Sequence, residues 1–452
     1  MRQILLVEPG YRNKYPPLGL MKIARYHKIL GDNVVFVKGK LPLIQSDRWD
    51  RVYVSTLFSF FWRETIETIK YYKKSVKKPK DIIVGGGLAT ILKNDIQDIF
   101  PDITIIPGLL DRERILDKNN DYIVDSLVPD YTILEQIDYK YGIKNAYIAY
   151  TTRGCKNKCK FCAVPLIEPK FKHYIPLKDS IHIIENEIGP QKDLLLLDNN
   201  VLASCRLSKI IKEIKELGFY KGATFIKSQR YVDFNQGLDS RRLDEPKMAR
   251  LGEIALKPLR IAFDSIKYKD PYINAIKLAV KYNIKYLSNY ILFNYEDTPC
   301  DFYQRLRINV EMNDQLGTKI YSFPMKYIPV YEKDRRQFIG PHWTWKMIRG
   351  VQCILNATGG VVGPSLKFFN IAFGKTFEEF YKLINMPERY IIYRLKHECD
   401  GAGEWSRLFD NLDDSDRTMF ISLISSDRYD HILPTGSQTV DSLIKHYITD
   451  SK

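Results

Sequence analysis

The sequence predicts an α/β protein in three parts: an N-terminal doubly wound parallel sheet, a central partial (βα)6 barrel and a C-terminal helical domain. Short, continuously apolar strands alternate with helical periods as far as about residue 330. Beyond that point, apolar residues recur at helical spacing alone. The chain has 452 residues, 45% of them hydrophobic, which is enough to bury two or three separate cores.

The first domain, residues 1–108, has the alternation typical of a doubly wound sheet. Its predicted strands are Gln3–Val7, Asn33–Val37, Arg51–Ser55, Asp81–Val84 and Thr104–Ile106, with a helix predicted at Leu18–Leu30. Strands that are apolar along their whole length are typical of parallel sheets covered on both faces. The glycines at positions 85–87 follow a strand, so they are expected at the carboxyl edge, where such sheets bind ligands.

Residues 109–145 are charged and irregular, so they are expected to form a connector to the barrel, residues 146–330. The six strands predicted for the barrel are Tyr147–Thr151, Asp193–Leu197, Tyr231–Asn235, Leu259–Phe263, Lys285–Phe293 and Lys319–Ile328. Active sites of barrels lie at the carboxyl ends of the strands. Polar residues end or follow four of these strands, and they are Asp198, Asn199, Asn200, Asn235, Gln236, Asp264, Ser265 and Asn294. Residues 331–452 are predicted to form the helical domain.

Three of the seven cysteines, Cys155, Cys159 and Cys162, lie within eight residues directly after the first barrel strand. Three thiolates on one loop can hold three irons of a cubic cluster and leave the fourth iron open, because cysteine thiolates are the usual ligands of such clusters. A zinc site with a fourth ligand is the alternative; the candidates for that ligand are His173, His182 and Cys205. Zinc sites usually pair two short Cys/His motifs, and no second motif is visible, so the spacing favours iron and sulfur.

The cysteine spacing, with Phe161 just before the last cysteine, resembles the signature of the radical S-adenosylmethionine (SAM) enzymes. The resemblance implies a [4Fe–4S] cluster on the three cysteines, SAM on the open iron, and a 5′-deoxyadenosyl radical that abstracts hydrogen. It also implies that residues 198–200 hold the amino end of SAM, and that Asp264, Ser265 and Asn294 meet its ribose and carboxylate. Asn235 and Gln236 are polar groups that SAM or a polar substrate would satisfy. Turns and packing at the barrel mouth are the alternative for each of these residues.

The first domain looks like the cobalamin-binding-type domain that precedes many radical SAM barrels, and the segment Pro16–Gly19 matches one often seen there. The motif that supplies a lower axial histidine, Asp-x-His-x-x-Gly, is absent, because Arg25 and Leu30 flank His27 where its Asp and Gly would stand. His27 is therefore expected to be a surface residue on the first helix. Cobalamin without a histidine ligand is one alternative, and a scaffold or substrate platform is the favoured one.

The net charge of +15 invites a nucleic-acid partner, although abundant lysine through the whole chain is not by itself a binding face. Lys156, Lys158 and Lys160 alternate with the cysteines and are candidates for docking a one-electron reductase such as flavodoxin or ferredoxin. An odd number of cysteines argues against a disulfide framework and predicts the cytoplasm. The cysteines outside the loop are expected to be buried free thiols, and they are Cys205, Cys300, Cys353 and Cys399.

The sequence therefore predicts a cytoplasmic radical SAM enzyme whose substrate no motif identifies, with a small molecule favoured. A nucleic-acid-modifying enzyme of the same superfamily and a non-catalytic zinc or iron–sulfur module are the alternatives. Against a tRNA methylthiotransferase stand the absence of cysteines before Cys155, where those enzymes carry a second cluster, and the absence of a C-terminal β-barrel pattern.

Overall fold

The computed structural model describes residues 1–45, 48–426 and 434–448. The chain divides into two compact units, which are considered separately. The first unit contains Met1–Leu238, Glu245–Lys257 and Ile328–Phe338; the second contains Asp239–Asp244, Pro258–Tyr327 and Ile339–Lys452. The predicted domain boundaries at residues 108, 145 and 330 stay predictions.

The described strands follow the apolar runs of the sequence closely. They are β1 (Gln3–Glu8), β2 (Asn33–Lys38), β3 (Arg51–Thr56), β4 (Ile82–Gly86), β5 (Thr104–Ile106), β6 (Ala146–Ala149), β7 (Asp193–Leu196), β8 (Thr224–Phe225), β9 (Ser228–Gln229), β10 (Val232–Phe234), β11 (Leu238–Asp239), β12 (Leu259–Ala262), β13 (Tyr286–Phe293) and β14 (Lys319–Lys326).

The described α-helices fall between these strands and then continue alone to the C-terminus. They are α1 (Leu18–Ile29), α2 (Pro42–Gln45), α3 (Trp62–Tyr72), α4 (Gly87–Ile91), α5 (Lys93–Ile99), α6 (Val164–Ile167), α7 (Lys178–Ile188), α8 (Leu207–Glu216), α9 (Glu245–Leu251), α10 (Lys269–Lys281), α11 (Pro299–Leu316), α12 (Trp345–Ala357), α13 (Leu366–Phe373), α14 (Phe377–Asn385), α15 (Glu388–Ile392), α16 (Gly403–Asp410), α17 (Asp414–Ser425) and α18 (Gln438–Ile448).

The N-terminal sheet has the strand order β2-β1-β3-β4-β5, and each neighbouring pair is parallel. One face packs on α3, α4 and α5 through residues such as Ile69 and Leu88. The other face packs on α1 and on the connector, which contributes Val124 and Ile133. Continuous burial of β1 on both faces explains why its sequence is apolar along its whole length.

His27 is not the surface residue expected from the sequence, because it faces the sheet and is fully buried. Its Nδ1 lies 2.8 Å from Asp32 Oδ2 and its Nε2 lies 3.0 Å from the Tyr53 hydroxyl. Burial lowers the pKa of His27 to about 4. Both ring nitrogens are therefore engaged inside the protein, and neither is available to a cofactor at the opposite, carboxyl edge.

The carboxyl edge of the N-terminal sheet is filled by residues of the chain itself. Glu8, at the end of β1, pairs with Lys38 at the end of β2 over 2.8 Å, and Tyr141 donates to the same carboxylate. A Cβ on Gly86 would lie 2.2 Å from the carbonyl oxygen of Thr56. Glycine at this position therefore allows β4 to approach the end of β3 closely, so its presence does not require a bound ligand.

The six strands predicted for the barrel all form, within two residues of the expected bounds. In the first unit β6, β7 and β10 form a parallel sheet in the order β10-β7-β6. In the second unit β12, β13 and β14 are parallel neighbours in chain order. Both sheets have the alternation with helices that the sequence predicts.

A buried line of hydrogen bonds fixes α10 and α11 on the second of these sheets. Asn289 of β13 donates to the hydroxyl of Tyr272 over 2.6 Å, and this hydroxyl donates to Asn309 over 2.7 Å. Asn309 in turn donates to Ser322 of β14 over 2.8 Å. Buried polar side chains that satisfy one another in this way specify a single register between helix and sheet.

Helices α12 to α18 pack around one apolar core that includes Ile348, Phe380 and Trp405. The sequence predicts five helical stretches in this region, at Trp343–Leu355, Thr376–Ile384, Arg389–Lys396, Trp405–Leu412 and Val440–Tyr447. They correspond to α12, α14, α15, α16 and α18, whereas α13 and α17 were not predicted. Within the described residues, no helix combines the length and the apolar composition needed to cross a bilayer.

Candidate iron–sulfur and S-adenosylmethionine site

The cysteine loop begins where β6 ends and leads into the short helix α6. Cys155, Cys159 and Cys162 are half-buried free thiols, and the Cys162 amide donates to the carbonyl of Cys159 over 3.1 Å. The loop therefore lies at the carboxyl end of a parallel strand, the edge at which barrel folds carry their sites.

Asp198, just past β7, holds the start of this loop. Its buried Oδ1 accepts hydrogen bonds from the hydroxyls of Thr151 and Thr152 at 2.7 and 2.6 Å, and from the amides of both residues. Burial raises the pKa of Asp198. Because these donors come from its own chain, Asp198 works as a clamp that attaches the cysteine loop to the second strand of the sheet.

Gly154 allows the chain to return close beside the loop. Its φ is +71°, and a Cβ at this position would lie 2.4 Å from the carbonyl oxygen of Lys170. Next to it, Arg153 and Lys172 exchange two backbone hydrogen bonds of 3.2 and 2.9 Å. The residue before the first cysteine must therefore be glycine for the loop to double back as it does.

Arg153 joins the loop to the connector through buried ion pairs that the sequence did not reveal. Its guanidinium contacts Glu168 at 2.6 Å and Asp125 at 2.5 Å, and it lies 3.7 Å from the centre of the Tyr150 ring. Glu168 also accepts from the Gly154 amide over 2.7 Å. These side chains line a cavity of about 1050 Å³ within the first unit.

The two asparagines after Asp198 have different partners. Asn199 Nδ2 donates to Glu168 over 2.9 Å, whereas Asn200 Nδ2 donates to the sulfur of Cys155 over 3.4 Å. Asn200 is only 2% exposed, and its Oδ1 has no hydrogen-bond partner among the described residues. A buried acceptor without a donor is unusual, so this atom is the best candidate here for contact with a bound molecule.

Asn235 and Gln236 follow β10 in the same unit. Asn235 is buried and donates to the hydroxyl of Tyr15, in the first domain, over 2.7 Å. Gln236 is exposed, and its Nε2 lies 3.3 Å from Asn235 Oδ1. Tyr15 is a further residue at this edge that no sequence pattern indicated.

Asp264, Ser265 and Asn294 belong to the second unit, at the carboxyl ends of β12 and β13. Burial raises the pKa of Asp264 to about 6, and the charges of Arg305 and Arg241 oppose that rise. Ser265 accepts a hydrogen bond from the Lys267 amide over 3.3 Å, as in a turn. Asn294 donates to Tyr327 and accepts from Gly340, so its side chain holds the backbone after β14.

The side chains considered as a fourth zinc ligand contact other groups of the chain. His173 Nδ1 accepts the backbone amide of Cys205 over 3.1 Å, and exposed His182 lies 3.4 Å from Glu185. In the described part of the chain, no three Cys, His, Asp or Glu side chains converge into a preformed metal site. Of the four thiols expected to be buried, only Cys353 is; Cys300 is half-buried, and Cys205 and Cys399 are exposed, because they lie in a surface turn and in the helical turn Glu398–Ala402.

Comparison with known proteins gives partial sequence matches and matches of fold. No protein-family model matches the chain. The ribosomal protein uS12 methylthiotransferase RimO of Helicobacter pylori strain Shi470 is 27% identical over 114 residues, which are 24% of this chain and 25% of that protein. The RimO of strain G27 is 25% identical over 170 residues, 36% of this chain and 31% of that protein. The chain thus matches about a quarter to a third of the length of these relatives.

One of the solved structures with a similar fold is that of TsrM from Kitasatospora setae, a radical SAM methyltransferase with tryptophan substrate and a SAM analogue bound. The TM-score is 0.50 at 13% identity, and the match covers 78% of this chain and 76% of that chain. This likeness concerns the fold, and it confirms the predicted α/β class. The chain carries three cysteines in the spacing Cys155-x3-Cys159-x2-Cys162 on a loop at the carboxyl end of a parallel strand, and both the partial sequence matches and the fold match support the resemblance to the radical SAM superfamily.

Proposed function

We propose that Cys155, Cys159 and Cys162 bind a [4Fe–4S] cluster and that the chain uses it to cleave SAM and abstract hydrogen from a substrate. The observation that carries the proposal is the cysteine loop itself. Its three thiols lie half-buried on one loop that Asp198 and Gly154 hold in place. A donor set of three thiolates suits three irons of a cubic cluster, and the side chains would come together around it as it binds.

Cys155, Cys159 and Cys162 would hold the cluster, which would supply the one electron needed for reductive cleavage of SAM and so the means of abstracting hydrogen from a substrate. The residues of the chain hold and shield this chemistry. Asp198 keeps Thr151 and Thr152 at the end of β7 through hydrogen bonds of 2.7 and 2.6 Å to their hydroxyls. Buried Arg153 and Glu168 restrain the loop behind the cysteines.

We propose that Asn200 is the SAM contact among residues 198–200, since its buried Oδ1 can accept from an ammonium group. We propose that Asp198 and Asn294 position other parts of the site and do not contact SAM themselves, because their side chains already form hydrogen bonds within the protein. Asp264, Ser265 and Gln236 stay candidates for the remaining polar groups of SAM or of the substrate. Asp264 would have both protonation states available near neutral pH.

The test is anaerobic iron and sulfide analysis combined with electron paramagnetic resonance (EPR) after dithionite reduction, with and without SAM. We expect about four irons per chain, an EPR signal that changes when SAM is added, and 5′-deoxyadenosine among the products. The triple variant C155A/C159A/C162A should lose all three. Zinc in place of iron, or a cluster indifferent to SAM, would favour the non-catalytic module instead.

We propose an acidic one-electron reductase as the electron donor, in a cytoplasmic setting. Lys156, Lys158 and Lys160 on the loop are all exposed, as are Lys170 and Lys172 on the segment that returns beside it. No carboxylate is interposed in the loop itself, so the surface over the cysteines is positively charged. Docking of an acidic partner there should weaken as salt rises.

A small molecule is the proposed substrate, and nucleic acid is the alternative that the net charge of +15 supports. RNA binding measured against salt separates the two. A steep fall in affinity with rising salt would favour the nucleic-acid alternative, and no binding at low salt would remove it. The methylthiotransferase activity named for the RimO relatives is a further alternative, supported by their partial sequence matches to this chain.

We propose that the first domain acts as a scaffold or substrate platform. His27 is buried among Asp32 and Tyr53, so it cannot serve as an axial ligand. The Glu8–Lys38 pair fills the carboxyl edge beside β1 and β2. Cobalamin would have to bind there without a histidine ligand. The test is to incubate the protein with hydroxocobalamin, desalt it, and measure whether the absorbance of cobalamin stays with the protein.

A further inference from the structure

We infer that the C-terminal helices bind the surface of an anionic lipid membrane through one face of the second unit. The face consists of residues 366–375, which contain α13, and residues 389–397, and we call it the basic apolar face. It shares no residue with the cysteine loop or with the candidate SAM contacts, so the inference goes beyond the proposed function.

The apolar part of the face is a group of large side chains that are exposed to solvent. They are Phe368, Ile371, Ile392, Tyr393 and Leu395. Ile371 is 61% exposed and Leu395 is 89% exposed. Single exposed apolar residues are common on protein surfaces, whereas a contiguous group of them marks a binding surface.

Helix α13 has apolar side chains on two sides. Phe369 and Phe373 are fully buried in the core of the helical domain, whereas Phe368 and Ile371 stay exposed. Residues three apart on a helix lie on the same side, so Phe368 and Ile371 form a continuous exposed strip. Core packing explains the first pair of residues but not the second.

Arg394 fixes the second segment against the end of α13. Its guanidinium donates to the carbonyl oxygens of Ile371 over 2.7 Å and of Ala372 over 3.1 Å. Carbonyls in the last turn of a helix lack partners inside the helix, and these hydrogen bonds satisfy two of them. The chain neighbours of Arg394, Tyr393 and Leu395, are therefore held beside Ile371, so the two segments form one surface.

Both segments carry positive charge without negative charge. They contain five basic residues and no aspartate or glutamate, and the basic residues are Lys367, Lys375, Arg389, Arg394 and Lys396. The three lysines are exposed. Among the carboxylates that flank the segments in the chain, Glu388 pairs with Arg349 over 2.7 Å and Glu379 accepts the backbone amide of Lys375 over 2.7 Å. The face itself therefore presents positive charge around its apolar side chains.

An anionic membrane matches both properties of this face. Its acyl boundary takes aliphatic side chains, tyrosine suits the level of the headgroups, and lysines reach the headgroup phosphates. In a two-fold dimer a second copy of the chain would bring the same cations opposite one another, and like charges disfavour that contact. Single-stranded nucleic acid stacks its bases on aromatic rings, which the aliphatic Ile371 and Leu395 do not offer.

The experiment is flotation of the full chain with two kinds of vesicle, one of phosphatidylcholine alone and one that also contains about 30% phosphatidylglycerol. The double variant Ile371→Ser/Leu395→Ser removes apolar side chains, and the double variant Lys367→Glu/Lys396→Glu reverses two charges. The measurement needs neither cluster nor SAM, so its result is independent of whether the proposed function holds.

Two control variants change exposed residues of the first unit. Ile226→Ser removes an apolar side chain that is 81% exposed, and Lys77→Glu/Lys78→Glu changes the net charge as much as the charge variant of the face does. We expect the unmodified chain to float with the anionic vesicles only, and to be released as salt rises. Each variant of the face should weaken binding at least about tenfold, and both controls should bind like the unmodified chain.

Four results decide the inference. It is overturned if the chain does not float with anionic vesicles at low salt, or if Lys77→Glu/Lys78→Glu loses binding equally, which would assign binding to the net charge. A dimer in sedimentation velocity that Ile371→Ser/Leu395→Ser converts to a monomer would assign the face to a second copy instead. Loss of binding in the variants of the face alone supports the membrane. Circular dichroism identifies a double variant that has not folded, and Leu395→Ser alone then decides the test.

Discussion

Replacing Gly154 with alanine is the sharpest test of how the cysteine loop is built. The residue has a φ of +71°, and an added Cβ would lie 2.4 Å from the Lys170 oxygen and 2.9 Å from the Glu168 oxygen. Both are backbone atoms, so neither can rotate aside. The segment that returns beside the loop would have to move away from the residue before the first cysteine.

The expected cost can be worked out from these contacts. A left-handed conformation costs a residue with a Cβ about 1–2 kcal/mol. Separating the two segments breaks the pair of backbone hydrogen bonds between Arg153 and Lys172, at about 1 kcal/mol each. The loop should therefore lose about 3–4 kcal/mol of local stability. Because 1.4 kcal/mol is tenfold in an equilibrium constant, local opening should become at least about 100-fold more frequent.

The assay is amide hydrogen exchange over the peptide that contains residues 151–155, together with iron content after anaerobic reconstitution. Gly317→Ala is the control, because Gly317 also has a left-handed backbone, with φ +63°, but has no atom within 4 Å of an added Cβ. We expect fast exchange at the loop and lost iron in Gly154→Ala only. Normal protection and full iron in Gly154→Ala would refute the reasoning.

Three further predictions follow from buried groups. Asp198→Ala leaves the amides of Thr151 and Thr152 without their acceptor and should destabilise the loop by about 3 kcal/mol, measured by hydrogen exchange. Asp198→Asn keeps an acceptor and should destabilise the loop less; equal effects of the two variants would contradict the role of Asp198 in holding the loop. The pKa of His27 is about 4 in the folded protein and about 6.5 in the unfolded chain, so His27 contributes up to about 3 kcal/mol of stability that is present above pH 6.5 and is lost as the pH falls toward 4. When the free energy of unfolding is measured in urea at several pH values, it should depend less steeply on pH in His27→Gln, and an unchanged pH dependence would contradict the assignment. Lys38→Met leaves buried Glu8 without its ion-pair partner and should lower the free energy of unfolding in urea by about 3–5 kcal/mol. The double variant Lys38→Met/Glu8→Gln should recover part of this loss, because it removes the unpaired charge.

Local patterns predicted the secondary structure well. The strand Thr104–Ile106 has the predicted bounds, and the helix predicted at Leu18–Leu30 ends one residue earlier. Continuous apolar strands separated by helical periods are a local signal that any parallel sheet must carry, because both faces are buried. Helix α17 was missed because only Phe420 and Ile424 along it are buried, which leaves little periodicity to detect.

The roles of charged and polar residues were much harder to predict. Asp198, Asn199 and Asn200 are consecutive, and nothing in their sequence separates a clamp on the loop, a partner of Glu168 and a donor to Cys155. Asp125 and Glu168 resemble any other acidic residues until the fold brings both to Arg153. His27 was expected at the surface because it is polar, and the pattern of the helix does not show that the fold supplies partners for a polar side chain facing the sheet.

The sequence by itself predicted the superfamily resemblance and the candidate ligands of the cluster, because three cysteines on one loop are a local arrangement that spacing alone can record. It also determined where the sheets lie, because burial leaves a period in the apolar residues. The tertiary structure alone decided which polar side chains hold the loop and which one keeps a free acceptor beside it. Hydrogen bonds and ion pairs join residues distant in the chain, so their pairing exists only once the strands that carry them are side by side.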